Sequence, residues 1–216
     1  MKYRCLVFDH DDTVVASTKE IHYPAFLEAL KEMRPGETLS CDDYFRFNFH
    51  PGFMEFCRDR YAMTDEEFKR EEIIWKNYVS TRIPTAYDGI REIMERQRSE
   101  GGIFAVVSHS FDFNIRRDFK ENRLPEPDMV FGWEVPGGKR KPSPYALTVI
   151  AEKYGLEPSD MVVIDDLKPG YDMARSFGCD FIGAGWCNRV PEIREFMEKN
   201  SDKYFTSVKE LAEYVK

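Results

Sequence analysis

Arg4-Cys5-Leu6-Val7-Phe8-Asp9-His10-Asp11-Asp12-Thr13 is the stretch on which the reading of this chain turns. Residues 5–8 are uninterruptedly apolar, too short a run for a helix, and residues 4–8 therefore read as a strand buried on both faces. The strand runs directly into an acidic loop. In open parallel sheets ligands bind beyond the carboxyl ends of the strands, so three aspartates at such an end are placed where chemistry is done.

Outward from this strand the chain changes texture twice. From Pro84 onward amphipathic helices alternate with short apolar strands. The helices are expected at residues 88–98, 112–121, 144–154, 169–177 and 192–198, and the strands at 103–107, 129–131, 161–164 and 180–182. Residues 203–205 and 208–214 close the chain. That alternation predicts a parallel α/β sheet, Rossmann-like, with helices on both faces. Between the first strand and Pro84 the chain is helical in pattern and rich in aromatics. One amphipathic helix is expected at 20–33, stopped by Pro35-Gly36, and another at 65–79 with Thr64 as its N-cap. Residues 44–53 lack a helical period, with Phe45, Phe47 and Phe49 alternating with polar residues. The expected organisation is a discontinuous core, residues 1–15 and 83–216, interrupted by an inserted α-helical domain, residues 16–82. The crossings fall at 14–16 and 82–85, where Pro84 cannot continue a helix.

The chain has 216 residues, 42% hydrophobic and 14% aromatic, enough apolar surface for a sizeable core. Its 31 basic and 39 acidic residues leave a net charge of −8, which argues against gripping a nucleic acid backbone. No apolar run approaches the roughly 20 residues that a bilayer requires, and residues 5–8 are too short for a signal peptide. A cytoplasmic protein with no membrane partner is expected. The five cysteines, Cys5, Cys41, Cys57, Cys179 and Cys187, show no Cys-x-x-Cys spacing and indicate neither a zinc site nor a disulfide framework.

At the carboxyl ends of the predicted strands stand Asp9 and Asp11, then Ser108, then Asp165-Asp166. A basic turn, Gly138-Lys139-Arg140-Lys141-Pro142-Ser143-Pro144, opens the helix between the last two. Carboxylates crowded on one edge demand a cation, and oxygen ligands of this kind suit Mg²⁺. Each motif alone has a plain structural reading: the aspartates as caps, Ser108 as a helix-capping serine, Lys139 and Arg140 as solvated surface. Their order and placement along the chain favour the chemical one.

The four motifs resemble those of the haloacid dehalogenase-like hydrolase superfamily, in its phosphatase branch with a helical cap after strand one. The first is Phe8-Asp9-His10-Asp11-Asp12-Thr13, the second Val106-Val107-Ser108, the third Lys141-Pro142-Ser143-Pro144, the fourth Val163-Ile164-Asp165-Asp166. The resemblance implies that Asp9 is a nucleophile forming an aspartyl-phosphate and Asp11 the general acid/base. It implies that Ser108 and Lys141 bind the phosphoryl group of a small phosphorylated substrate, and that Mg²⁺ is held by Asp9, the backbone carbonyl of Asp11, and Asp166. Asp165 would orient the others or bind through a water. Two positions depart from the common pattern: Asp12 stands where Gly is frequent, and Gly170 where many family phosphatases carry a second Asp. Gly170 points toward the β-phosphoglucomutase branch. The His which that branch often carries twelve residues past the nucleophile is Ile21 here, with His22 one further on, and on an ideal helix that step turns a side chain by about 100°. A mutase is the alternative reading. A haloacid dehalogenase proper would have no use for Asp11 or a metal, and a phospho-accepting signalling module would have no place for the inserted helices. The chemistry is expected to be complete without the cap, which would supply specificity, with Arg46 and His50 as its polar candidates. His22 and His109 are expected to be structural or to lie beside the substrate.

Overall fold

The computed structural model describes residues 1–216 and contains one six-stranded, wholly parallel sheet. Its strands are β1 (Cys5–Phe8), β2 (Ile103–Val107), β3 (Met129–Phe131), β4 (Met161–Asp165), β5 (Asp180–Ala184) and β6 (Lys203–Phe205), in the order β3-β2-β1-β4-β5-β6. The order reverses at β1, which pairs with β2 on one side and β4 on the other: Val7 lies opposite both Ala105 and Val163. The acidic loop after β1 therefore opens at the topological switch point. Strand pleating sends Leu6 and Phe8 into an apolar cluster on one face of the sheet, with Phe104, Val106 and Ile164. Cys5 and Val7 enter the cluster on the other face, with Ala105, Val107 and Val163. This is the expected Rossmann-like α/β core.

Ten α-helices accompany the sheet. Four precede Pro84 in the segment between β1 and β2: α1 (Tyr23–Met33), α2 (Cys41–Phe49), α3 (Phe53–Tyr61) and α4 (Asp65–Thr81). The others are α5 (Ile90–Ser99), α6 (Asp112–Glu121), α7 (Tyr145–Tyr154), α8 (Lys168–Phe177), α9 (Pro191–Asn200) and α10 (Val208–Tyr214). None is long and apolar enough to cross a membrane. A π-helical turn, Thr18–His22, leads into α1. At the start of α4 the hydroxyl of Thr64 accepts from the Glu67 N–H at 3.3 Å while the Glu67 carboxylate accepts from the Thr64 N–H at 2.9 Å. That is the cap expected of Thr64.

The stretch 44–53, read as lacking a helical period, proves to belong to α2 and the start of α3. Two things hide the helix. Its N-cap, Ser40, accepts from the Asp43 N–H at 3.0 Å and lies ahead of the aromatic run. More importantly, α2 is buried on two sides: Tyr44 and Phe47 enter the apolar cluster of the inserted helices, whereas Phe45 packs with the sheet-side cluster. A helix clamped from both sides shows no single apolar stripe.

The insert has a core of its own, centred on Phe26 with Leu30, Tyr44, Phe47, Cys57, Tyr61 and Phe68. It enters and leaves the sheet domain at one place: the Ala16 N–H donates to Thr85 O at 2.9 Å and the Tyr87 N–H to Val14 O at 3.0 Å. Phe26 is almost wholly buried and its ring centroid lies 5.3 Å from that of Phe53 and 5.7 Å from that of Tyr44. Phe26→Ala should therefore destabilise the protein by about 3–5 kcal/mol, read as a lowered denaturation midpoint. A loss below about 1 kcal/mol would mean that the insert has no packed core around this ring.

Candidate active site

The residues expected to carry the chemistry, Asp9, Asp11, Ser108, Lys141 and Asp166, converge on the carboxyl edge of the sheet. Asp9 follows β1, and its N–H donates to Ile164 O at 2.8 Å; Ser108 follows β2, and its N–H donates to Phe131 O at 2.9 Å. Asp165 ends β4 and Asp166 comes next. Lys141 arrives from the turn before α7, with Nζ 2.6 Å from Asp9 Oδ1 and 2.7 Å from Asp165 Oδ2. The three side chains are only 5%, 6% and 2% exposed, so this ion triad is dry. Burial opposes the ammonium of Lys141, but the two carboxylates outweigh it and raise its pKa.

The carboxylates remain in excess. Asp9, Asp165 and Asp166 bring oxygens within 4.8 Å of one another, all buried. Burial pushes Asp9 up to about 7 against the pull of Lys141, and pushes Asp12 up to about 6. Asp166 is raised too, by burial and then by Asp12, Asp165 and Asp9. One ammonium does not balance this cluster. An all-oxygen donor set that is short of positive charge fits a hard divalent cation. Asp165 joins this set directly, while its other oxygen accepts from the Leu167 N–H at 2.8 Å. Gly170 on α8 is what makes room for it, since a Cβ there would lie 2.2 Å from Asp165 Oδ2. A second aspartate at position 170 has no space in this chain.

Asp12 has φ 60°, a left-handed conformation that suits glycine but that aspartate tolerates, and its carboxylate accepts from the Thr18 N–H at 3.1 Å. His10 turns away from the cleft, with Nε2 3.1 Å from Asp118 Oδ2. Asp118 Oδ1 also accepts from Arg117 Nη2 at 2.7 Å, and Arg117 Nη1 donates to Val79 O, at 2.6 Å, in α4.

Asp11 is the most heavily solvated carboxylate in the site, by protein donors. Its Oδ2 accepts from Ser110 Oγ at 2.5 Å and Ser108 Oγ at 3.3 Å, and its Oδ1 lies 3.2 Å from His22 Nε2. Burial alone would raise its pKa; the hydrogen bond from His22, the nearness of His10 and the Ser110 hydroxyl reverse the sign and hold it well below the usual carboxylate range. Trp75 of α4 donates from Nε1 to His22 Nδ1 at 2.9 Å. Indole N–H can only donate, so Nδ1 carries no proton and the proton of His22 sits on Nε2, facing Asp11.

Two expectations fail here. The ideal-helix phase step between Ile21 and His22 does not apply, because residues 18–22 form a π turn, which takes up one extra residue. Ile21 is buried and His22 faces Asp11. Nor is the surrounding of the reactive carboxylates independent of the insert, because His22 and Trp75 both belong to it. The cleft, about 250 Å³, is lined on that side by Thr18, His22, Tyr44, Phe45, Asn48 and Trp75. Arg46 and His50, expected as specificity residues, lie outside it. Arg46 projects from α2 to Glu192 on α9, at 3.1 Å, and to Asp43, while His50 sits exposed at the end of α2. Ser110 had a signal that the sequence reading passed over: it stands two residues beyond Ser108 on the same loop.

The chain belongs to the haloacid dehalogenase-like hydrolase family, whose model matches residues 6–184. A phosphoglycolate phosphatase of Aliivibrio fischeri is 27% identical over 97 residues, a match that spans 43% of this chain and 41% of that protein. Among solved structures, a predicted phosphoglycolate phosphatase from Haemophilus somnus superposes with a TM-score of 0.77 at 18% identity, covering 100% of this chain and 99% of that one. A HAD family hydrolase from Deinococcus radiodurans, solved with bound phosphate and sodium, gives a TM-score of 0.74 at 21% identity, with 97% and 93% covered. The structural likenesses concern the fold.

The raised carboxylates set a pH test. Unfolded aspartates titrate near about 4, whereas folded Asp12 and Asp9 titrate at about 6 and about 7. Between these limits the folded state binds more protons than the unfolded one, so the metal-free protein should lose stability as pH rises from about 4 to about 7. A divalent cation should raise Tm at pH 7 and flatten that slope, and Asp166→Asn should remove most of the cation's effect. Thermal unfolding with and without chelator reads all three. A Tm indifferent to the cation would remove the metal site.

Proposed function

We propose that this protein is a Mg²⁺-dependent phosphomonoester hydrolase acting on a small phosphorylated metabolite through an aspartyl-phosphate. The observation that carries the reading is the dry triad of Asp9, Lys141 and Asp165 beside the carboxylate of Asp166. A nucleophile, a point charge for the phosphoryl group and a cation site share one pocket. The phosphate and sodium bound to the Deinococcus radiodurans relative support it, as do the names of the phosphatase relatives.

In this reading Asp9, Asp165 and Asp166, with the backbone carbonyl of Asp11, hold Mg²⁺, which when bound neutralises charge between carboxylate and phosphate. Asp9 attacks phosphorus in line with the departing oxygen. Lys141 and the Ser108 hydroxyl take the phosphoryl oxygens, so Ser108 leaves Asp11 as substrate arrives. The incoming phosphate is a like charge beside Asp11 and raises its pKa, which lets Asp11 carry the proton that the leaving oxygen needs. The same carboxylate then takes a proton from the water that opens the acyl phosphate. Residues 16–82 act as a cap that excludes bulk water and contacts the leaving group.

The relatives that carry a named activity favour hydrolysis over a phosphosugar mutase. The sheet order, with β1 between β2 and β4, also differs from the 2-1-3-4-5 order of receiver-type signalling modules.

Asp9→Asn should abolish turnover of p-nitrophenyl phosphate while leaving the thermal unfolding transition in place, because an amide of equal size cannot attack phosphorus. Mass spectrometry of acid-quenched enzyme should find the phosphoryl group on Asp9. Its recovery on any other residue would sink the assignment.

A further inference from the structure

The charges that line the cleft are unequal, and the inequality bears on the leaving group. Five carboxylates, Asp9, Asp11, Asp12, Asp165 and Asp166, face it, against one ammonium, Lys141. Lys141 is already committed on Nζ to Asp9 and Asp165. The two histidines of the lining supply no spare cation. His22 has Trp75 donating to one nitrogen and Asp11 accepting from the other. His109 lies 3.2 Å from Lys141 O, and burial, with the Lys141 charge behind it, lowers its pKa.

The insert offers no substitute. It contains ten lysines and arginines between residues 16 and 82, and none lines the cleft. Six are paired with acids on the outer surface: Arg34, Arg46, Arg58, Lys69, Arg70 and Lys76. Arg60 and Arg82 lie over aromatic rings, and Lys19 and Lys31 are exposed to solvent. What the insert does present is neutral: the hydroxyl of Thr18 and the amide of Asn48 among the rings of Tyr44, Phe45 and Trp75. Asn48 is held by donation to Tyr44 O at 2.8 Å, which leaves its amide oxygen as an acceptor.

We infer that the substrate is the phosphate ester of an uncharged, hydroxylated alcohol and that the cleft rejects a leaving group bearing a carboxylate. This rests on the phosphohydrolase reading and sets the chain apart from the phosphoglycolate phosphatases whose names its relatives carry. A carboxylate brought against the insert's wall of the cleft would lose water and find no positive charge on that wall to replace it. A hydroxyl in the same place finds Asn48 and Thr18, and the carbon skeleton finds aromatic surface.

The test uses two esters with the same two-carbon skeleton, 2-phosphoglycolate and 2-hydroxyethyl phosphate, which differ by a carboxylate against a hydroxymethyl group. With the full-length wild-type enzyme and Mg²⁺, kcat/KM should favour 2-hydroxyethyl phosphate by about tenfold or more. Asn48→Arg places a cation on the neutral wall and should shift the ratio toward 2-phosphoglycolate by about tenfold. Equal rates in the wild type, or a preference for 2-phosphoglycolate, would overturn the inference. So would an Asn48→Arg enzyme whose ratio is unchanged while its Tm stays within the wild-type range. The same pair titrated calorimetrically onto the Asp9→Asn protein reads the discrimination as binding, without turnover. A preference for 2-hydroxyethyl phosphate in that titration, with no hydrolysis of any ester by the wild type, would uphold the charge argument and sink the hydrolase reading instead.

Discussion

Lys141 Nζ sits between Asp9 and Asp165, and the rest of the site is arranged around that contact. Without it the first carboxylate after β1 and the last residue of β4 would face each other, buried, across neighbouring strands. Two like charges at that depth would suppress each other's ionisation. The lysine draws Asp9 back toward its ionised form against the pressure of burial. It also explains why Asp165, ending its strand, shares its oxygens between an ammonium and a backbone N–H, and why α8 must approach with a glycine at position 170. The buried ion triad, the crowded acids and the missing side chain are one electrostatic arrangement seen from three sides.

A second arrangement surrounds Asp11. Where Asp9 is short of donors and its pKa rises, Asp11 gathers two hydroxyls and an imidazole and its pKa falls. Two aspartates two residues apart are thereby driven in opposite directions, burial prevailing at Asp9 and the surrounding donors at Asp11. The donors to Asp11 come from both parts of the chain: Ser108 and Ser110 follow β2, whereas His22 precedes α1 and is fixed by Trp75.

Much of this could be read from the sequence, and what could not be read has physical reasons. Short apolar strands ending in Asp, Ser or Asp-Asp announce themselves, because a parallel strand buried on both faces admits little else, and the motifs sit where those strands end. The fold and the convergence of Asp9, Ser108, Lys141 and Asp166 were legible for that reason. The helix α2 was not, because Tyr44 and Phe47 face one apolar cluster and Phe45 another, which erases the single stripe that marks a surface helix. The contact of His22 with Asp11 was not legible because sequence periodicity assumes 3.6 residues per turn, and a π turn breaks that count without leaving a compositional mark. Arg46 misled for the opposite reason: a long cation near a predicted site looks like a ligand group, but nothing in the sequence shows that Glu192, 146 residues away, has claimed it.

The paired crossings at Val14–Ala16 and Thr85–Tyr87 make the inserted helices topologically a graft. Their two ends are hydrogen-bonded neighbours, so the segment could be lengthened, shortened or exchanged by recombination without disturbing the order of the sheet. Such a graft would normally vary the pocket wall and leave the reactive groups as they were. Here it would carry His22 and Trp75 with it, so any exchanged segment would also reset the proton affinity of Asp11. In this chain one segment both walls the pocket and sets the proton affinity of Asp11.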